Sequence, residues 1–108
     1  GPAGGLSGYQ VVYAQPANSA YVATYCGGVI CLVQAINIAP GASHTFSAAC
    51  PTGKVVIGGG ASSRTNSVNL VSSAPVGTTE WSAMFTNPST TISALATLNV
   101  YAICANGL

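Results

Sequence analysis

Charged side chains are almost absent from this chain of 108 residues. Its only residues with a full charge at neutral pH are Lys54, Arg64 and Glu80, whereas about a quarter of the residues in a typical domain are charged. The formal net charge of +1 gives a single copy little long-range attraction for charged ligands. No basic stripe with interleaved aromatic residues is present, so we expect no nucleic-acid partner. A surface solubilised by Ser, Thr, Asn and Gly is typical of extracellular or virion-exposed proteins.

The groups that catalysis needs are also scarce. Glu80 is the only carboxylate side chain, so no pair of carboxylates can divide the roles of acid and base. His44 is the only histidine, and Glu80 is the only acidic side chain that could orient it towards a serine. We therefore interpret His44 as a solvent-facing residue at the start of a strand. The sequence predicts neither an enzyme nor a bound cofactor.

Long hydrophobic runs are missing too. The longest candidate, residues 27–39, is interrupted by Gln34 and Asn37 and is shorter than the roughly 20 residues of a membrane-spanning helix. No charged segment is followed by an apolar one, so a signal peptide, if there was one, would lie upstream. We expect no membrane insertion.

Helix-favouring residues are rare, whereas Val, Thr, Ile and Tyr are common, which is a β composition. Short runs of these residues alternate with clusters of turn residues. The spacing of the runs predicts an all-β protein of about eight short strands, a sandwich or a barrel, and we expect an antiparallel β-sandwich. The predicted strands are residues 9–14, 20–25, 29–38, 44–49, 55–59, 68–73, 80–86 and 94–104.

Some of these strands are apolar on both faces. In the last run, one face carries Leu98, Val100 and Ala102 and the other carries Asn99, Tyr101 and Ile103. Strands 29–38 and 80–86 alternate in a similar way, with Trp81, Ala83 and Phe85 on one face of the latter. A sandwich buries one face of each sheet, so a second apolar face needs another cover. We therefore expect an oligomer.

Cysteines stand at four positions, Cys26, Cys31, Cys50 and Cys104. An even number in a short chain rich in Gly, Ser and Thr favours two disulfides and an oxidising compartment. Three pairings are possible. The Gly-Gly between Cys26 and Cys31 can reverse the chain and allow a local bridge, which would leave Cys50 to Cys104. A zinc site is the alternative, but no cysteine pair has the two-residue spacing of a zinc knuckle and His44 stands alone.

The glycine run at residues 58–63 (GGGASS) matches neither the phosphate-binding loop nor the dinucleotide-binding motif. It predicts a β-bulge or a place where backbones pack closely.

Lys54 follows a Pro-Thr-Gly turn, and Arg64 follows the glycine run. In a trimer, three copies each of Lys54 and Arg64 would carry six positive charges, against three negative charges from Glu80. Such a set could hold a sulfated or otherwise anionic polysaccharide, with Arg64 binding a sulfate bidentately and Lys54 acting as a point charge. Ser63, Thr65 and Asn66 are the candidate hydrogen-bonding partners in this site.

Residues 48–105 carry a Cys-Pro-x-Gly-Lys turn, an apolar strand that enters a glycine run, a Trp strand and a closing Tyr-Ala-x-Cys strand. This set resembles the C-terminal globular domain that follows the collagen-like repeats of bacterial collagen-like surface proteins. Related domains also end some phage tail fibres, which makes a virion the alternative location. The chain departs from the commoner pattern in its extra pair Cys26 and Cys31 and in its scarcity of charge.

The resemblance implies a homotrimer, a Cys50–Cys104 bridge and an adhesive role at the bacterial surface or in secreted form. Two functions follow as hypotheses. The first is an adhesin that binds glycosaminoglycan-like sulfated polysaccharides. The alternative is a structural knob that trimerises a collagen-like or tail-fibre stalk and keeps its chains in register, with no ligand of its own.

The first eight residues fit the same resemblance. Gly1-Pro2-Ala3 and Gly4-Gly5-Leu6 are two Gly-X-Y triplets, and Ser7 replaces the next glycine that a triple helix requires. We therefore predict that residues 1–8 end a collagen-like stalk or linker and that the globular domain spans residues 9–108. Gly-Pro is also left behind by some tag-cleaving proteases, so residues 1–2 have a second interpretation.

Overall fold

The computed structural model describes residues 8–16 and 20–107, except for the side chains of residues 20–26 and 31–33. Its described residues form nine strands and no helix. The strands are β1 (Gln10–Ala14), β2 (Ala20–Cys26), β3 (Val29–Ile38), β4 (Ser43–Ala49), β5 (Lys54–Ser63), β6 (Asn69–Val76), β7 (Glu80–Thr86), β8 (Ala94–Ala96) and β9 (Leu98–Asn106). The prediction of an all-β chain is confirmed. The predicted stalk residues 1–7 lie outside the described part.

The strands form three antiparallel sheets of three strands, which we name after their central strands. The β9 sheet has the order β1-β9-β5, the β7 sheet has the order β4-β7-β6, and the β3 sheet has the order β2-β3-β8. Every pairing is antiparallel, as the sequence predicted.

The last predicted strand is divided at Thr97 into two strands that belong to different sheets. β8 pairs with the end of β3, whereas β9 pairs with β1 and β5. At the division, the Thr97 carbonyl accepts a hydrogen bond from Arg64 N–H at 3.0 Å, and Thr97 N–H donates to Thr65 Oγ1 at 3.2 Å. The chain therefore crosses from one sheet to the next while its polar backbone groups stay paired.

The predicted faces of β9 are confirmed. Its inner face carries Leu98, Val100, Ala102 and Cys104, all of them fully buried. These side chains belong to one hydrophobic cluster with residues from the neighbouring sheets, including Ala48 of β4, Ala83 and Phe85 of β7, and Ile38 of β3. The other face, with Asn99, Tyr101 and Ile103, is only half-buried.

The glycine run lies inside β5 instead of ending it, so β5 continues to Ser63 where the sequence predicted an end at residue 59. The register shifts between Val56 and Gly58, just before the glycine run, and pairing with β9 is regular from Gly58 to Ser63. A Cβ atom on Gly59 would overlap the indole of Trp81 and lie 2.6 Å from the Tyr101 carbonyl oxygen. A Cβ on Gly60 would overlap the Tyr101 ring. The glycines thus make room for two aromatic side chains.

The Cys50–Cys104 disulfide is present and links residues 54 positions apart. It joins the segment after β4 to the central strand of the β9 sheet. Because both sulfurs are bonded to each other, the alternative of a zinc site that uses these two cysteines is wrong. The side chains of Cys26 and Cys31 lie outside the described part, so their predicted bridge stays a prediction.

Asn87 follows β7 and is the one polar side chain that is fully buried among the described residues, at 1% exposure. Its Nδ2 donates to the carbonyl oxygens of Ile38 and Ile92, both at 2.9 Å, and its Oδ1 accepts from Ser89 N–H at 3.1 Å. Its backbone N–H and carbonyl bond to Ala42 and Gly41. Asn87 therefore joins the end of β3, the β3–β4 turn and the segment that leads to β8.

Candidate functional site

Lys54 begins β5, directly after the turn that the sequence predicted. Its Nζ donates to the Gly8 carbonyl oxygen at 2.8 Å and to Gln10 Oε1 at 2.9 Å. Two of the three ammonium protons are therefore used to hold the start of β1 against β5. Lys54 thus has a structural role whether or not it contacts a ligand.

Arg64 lies at the other end of β5, in the bend that follows the strand, and its side chain is exposed. Its backbone N–H bonds to Thr97 across the end of the β9 sheet. The exposed Asn66 follows in a turn that is closed by Val68 N–H donating to the Thr65 carbonyl oxygen at 3.1 Å. Arg64 and Asn66 are the two members of the predicted site that the loop leaves exposed.

The hydroxyl groups of Ser63 and Thr65 serve the loop itself. Ser63 Oγ donates to the Thr65 carbonyl oxygen at 3.0 Å and accepts from Thr65 N–H at 3.1 Å. Thr65 Oγ1 accepts from Thr97 N–H. Both side chains are half-buried. We therefore assign them the part of holding the backbone of the Arg64 loop, which we define as residues 63–66.

The structure brings four of the five candidate residues together and separates Lys54 from them. Lys54 and Arg64 are ten positions apart along an extended strand, which corresponds to about 30 Å. One sulfate group cannot contact both cations of one chain. Lys54 lies at the end of the β9 sheet where the described chain enters at Gly8, and Arg64 lies at the opposite end.

The half-buried face of the β9 sheet carries a second set of side chains. Val11 lies opposite Ile103 and Tyr13 lies opposite Tyr101, with ring centroids 6.0 Å apart for the tyrosine pair. Val11 and Tyr13 are exposed, and Tyr13 keeps 72% of its surface accessible. We call these four residues the outward face. It carries no charged residue.

Sequence reasoning found half of the outward face and missed the rest. It identified Tyr101 and Ile103 from the alternation in the last run. Val11 and Tyr13 alternate in the same way with Tyr9 in the first run, and this period of two was the available signal. Their pairing with β9 could not be read from either run alone.

The only histidine and the only acidic side chain lie far apart. His44 pairs with Phe85 near one end of the β4–β7 ladder, and Glu80 pairs with Ala49 at the other end. The two positions are five residue steps apart along the strand, or about 17 Å. A direct hydrogen bond between these side chains is therefore impossible in this fold. His44 is half-buried, and its ring lies 5.9 Å from that of Phe46.

Among the residues that the structure describes, no group of three or more His, Cys, Asp or Glu side chains could hold a metal ion. The described part also contains no helix that is long and apolar enough to cross a membrane. No protein-family model, curated protein or solved structure matches the chain.

Proposed function

We propose that this chain is the extracellular head of a homotrimeric adhesin, which ends a collagen-like stalk and binds sulfated polysaccharides through its Arg64 loop. The observation that carries the proposal is the position of that loop. Arg64 is exposed at the end of the β9 sheet opposite to Gly8, near which a stalk of residues 1–8 would enter. A cation at this end points away from the stalk. It can therefore contact a ligand on the surface to which the head attaches.

The chemistry of the loop suits a sulfate group. A guanidinium group donates two parallel hydrogen bonds to a planar or tetrahedral oxyanion, and Asn66 adds an amide donor beside it. One Arg64 per chain gives a weak site. Three copies on one trimer would bind a repeating polymer with an effective concentration that raises the overall affinity strongly.

The outward face supports the trimer. Val11, Tyr13, Tyr101 and Ile103 form an uncharged apolar patch on a sheet whose other face is already buried. Contiguous patches of this kind mark interaction sites in soluble proteins. We propose that the β9 and β7 sheets form the two layers of a β-sandwich and that the outward face lies in the interface between subunits.

The adhesin is tested by binding to immobilised heparin at increasing ionic strength, with Arg64→Ala and Lys54→Ala compared at equal protein concentration. We expect Arg64→Ala to abolish binding, whereas Lys54→Ala leaves it within about twofold because Lys54 faces the stalk. Binding of the wild type should weaken as salt screens the charges. Undiminished binding by Arg64→Ala would refute the proposed site.

The second candidate is a registration knob that holds three stalk chains together and has no ligand. The favouring observation is again the apolar outward face, because it needs a partner subunit whether or not Arg64 binds anything. An array of sulfated glycans without a hit, obtained with protein whose mass by light scattering is that of a trimer, would select this function. A monomer at micromolar concentration would refute both candidates.

A further inference from the structure

The β2–β3 hairpin extends away from the rest of the fold. β2 pairs along its whole length with β3, and within the described residues β3 joins another strand only through Ile36–Ile38, which pair with β8. The hairpin between its turn at Gly27 and the ladder with β8 is about eight residues long, or roughly 27 Å. We call residues 20–35 the arm.

The arm is uncovered on both sides near its turn, where the side chains of residues 27–30 are exposed, whereas Gln34 and Ala35 at its base are half-buried and buried. Val29 and Ile30 are consecutive, so they point to opposite faces of the ribbon, and they keep 64% and 69% of their surfaces exposed. No residue of the arm carries a charge. An isolated two-stranded ribbon is at best marginally stable in water, so an apolar arm of this length calls for a partner surface.

The molecule is larger than a compact domain of the same length. The radius of gyration is 16.1 Å, against about 13 Å for a compact domain of this length. The accessible surface is 6337 Å², against about 5,500 Å² for a compact monomer with a mass of 10.6 kDa. The excess of roughly 840 Å² is close to the roughly 800 Å² that each partner buries in a standard protein interface.

We propose that the arm of one copy lies across the outward face of a second copy, which makes the arm the element that joins neighbouring subunits. This inference rests on the proposed self-association and names the surfaces that carry it. The recipient is the face of Val11, Tyr13, Tyr101 and Ile103. Its central strand β9 has nine residues, about 30 Å, so its length matches that of the arm.

Composition favours a second copy of the chain as the occupant. Both surfaces are uncharged, so they meet without an unpaired buried charge. Each copy carries one arm and one recipient face, and these are different surfaces. Such a contact is head-to-tail, and three copies close it into a ring if each is rotated by 120° relative to the next. The same contact thus accounts for a trimer.

The first test replaces Val29 and Ile30 together by lysine, with Ile92→Lys as the matched control. Ile92 is equally exposed, at 70%, but it lies in the segment before β8 instead of on the arm. Because all three side chains are exposed, we expect the variants to fold, as checked by far-UV circular dichroism and by the intact Cys50–Cys104 bridge. Multi-angle light scattering should give a monomer mass for the arm variant and an unchanged oligomer mass for Ile92→Lys.

The outcomes separate this inference from the proposed function. A wild type that is monomeric at micromolar concentration refutes the self-association itself. An oligomer that persists in the arm variant but is lost in Tyr13→Lys overturns the arm contact and leaves the outward face as the interface. Loss of the oligomer in both the arm variant and Tyr13→Lys supports the arm contact. Loss in the arm variant alone would show that the arm binds a surface other than the outward face, and it would overturn the proposed pairing.

A second test identifies the recipient directly. A photo-reactive benzoylphenylalanine at position 30 is introduced, and this protein is mixed and reassembled with isotopically heavy wild-type chain before irradiation. We expect cross-links from the light chain to heavy peptides that contain Tyr13 or Tyr101. Cross-links that form only within the light chain would overturn the proposal. Cross-links from the light chain to another surface of the heavy chain would overturn it as well.

Discussion

The indole of Trp81 occupies the space that a side chain at position 59 would need, so Gly59 and Trp81 fit together only because residue 59 has no Cβ. Trp81 is held in this place by a hydrogen bond from its Nε1 to Ser73 Oγ at 2.8 Å. The contact packs β7 directly against the backbone of β5. It explains why a glycine run can continue a strand in this fold.

Gly59→Ala should lower the free energy of unfolding by about 1–3 kcal/mol, the usual cost of forcing extra volume into a packed site. Gly58→Ala is the matched control. A Cβ on Gly58 would meet only Ile103 Cδ1 at 3.6 Å, an ordinary contact, and alanine is preferred to glycine in a strand. Urea denaturation of the two variants measures the difference. Equal midpoints for both would contradict the packing that we describe.

Removal of the Cys50–Cys104 bridge should cost about 4 kcal/mol, because the chain between the two residues gains freedom in the unfolded state. Alanine is the suitable replacement at both positions, since Cys104 is fully buried and a serine hydroxyl would need a partner there. The double variant is compared with the wild type by denaturation under non-reducing conditions. An unchanged midpoint would show that the bridge contributes nothing to stability.

Asn87→Ala should destabilise the fold by about 2–4 kcal/mol, because it leaves the buried carbonyl group of Ile38 and the partly buried carbonyl group of Ile92 without their donor. Asn37→Ala is the control, since Asn37 is an exposed asparagine on neighbouring β3. We expect hydrogen exchange to rise in the β3–β4 turn and in residues 88–93 of the Asn87 variant alone. Similar exchange in both variants would argue against the joining role of Asn87.

Lys54→Met should lower stability by about 1 kcal/mol and increase hydrogen exchange in residues 8–14, because it removes the charged donor that holds the start of β1. Methionine keeps an apolar stem in the place of the lysine stem. Arg64→Met is the matched variant, and it should leave stability within about 0.5 kcal/mol because its side chain is exposed. A reversed order of the two effects would contradict these assignments.

Local composition was enough to predict where most strands lie and which residues of β9 share a face. Runs of β-branched and aromatic residues mark β1 to β4 and β7 well, whereas β5 and β6 continue past their predicted ends at residues 59 and 73. The alternation in the last run placed Val100 and Tyr101 on opposite faces, and the structure shows that the face of Val100 is the buried one. The division at Thr97 was missed because nothing in that run breaks the apolar pattern. The crossing is set by hydrogen bonds to Arg64 and Thr65, which lie more than 30 residues earlier in the chain.

The candidate site was predicted less completely for a similar reason. Ser63, Arg64, Thr65 and Asn66 are consecutive and necessarily lie together. Lys54 was grouped with them on charge alone, yet the glycine run that separates them is strand, so it keeps the two cations apart. Asn87 gave only the turn signal of an Asn-Pro pair, because its bonding partners are backbone carbonyls on other segments.

The pairing of β1 with β9 has a mechanical consequence. If a stalk pulls on the chain at residue 8 while the Arg64 loop is held by a surface, the force enters and leaves the β9 sheet at opposite ends. The pull then runs along the strands, at right angles to their hydrogen bonds, so the five pairs between β1 and β9 resist in shear and must yield together. A domain loaded in this way would stay folded until the pulling force reaches a high threshold.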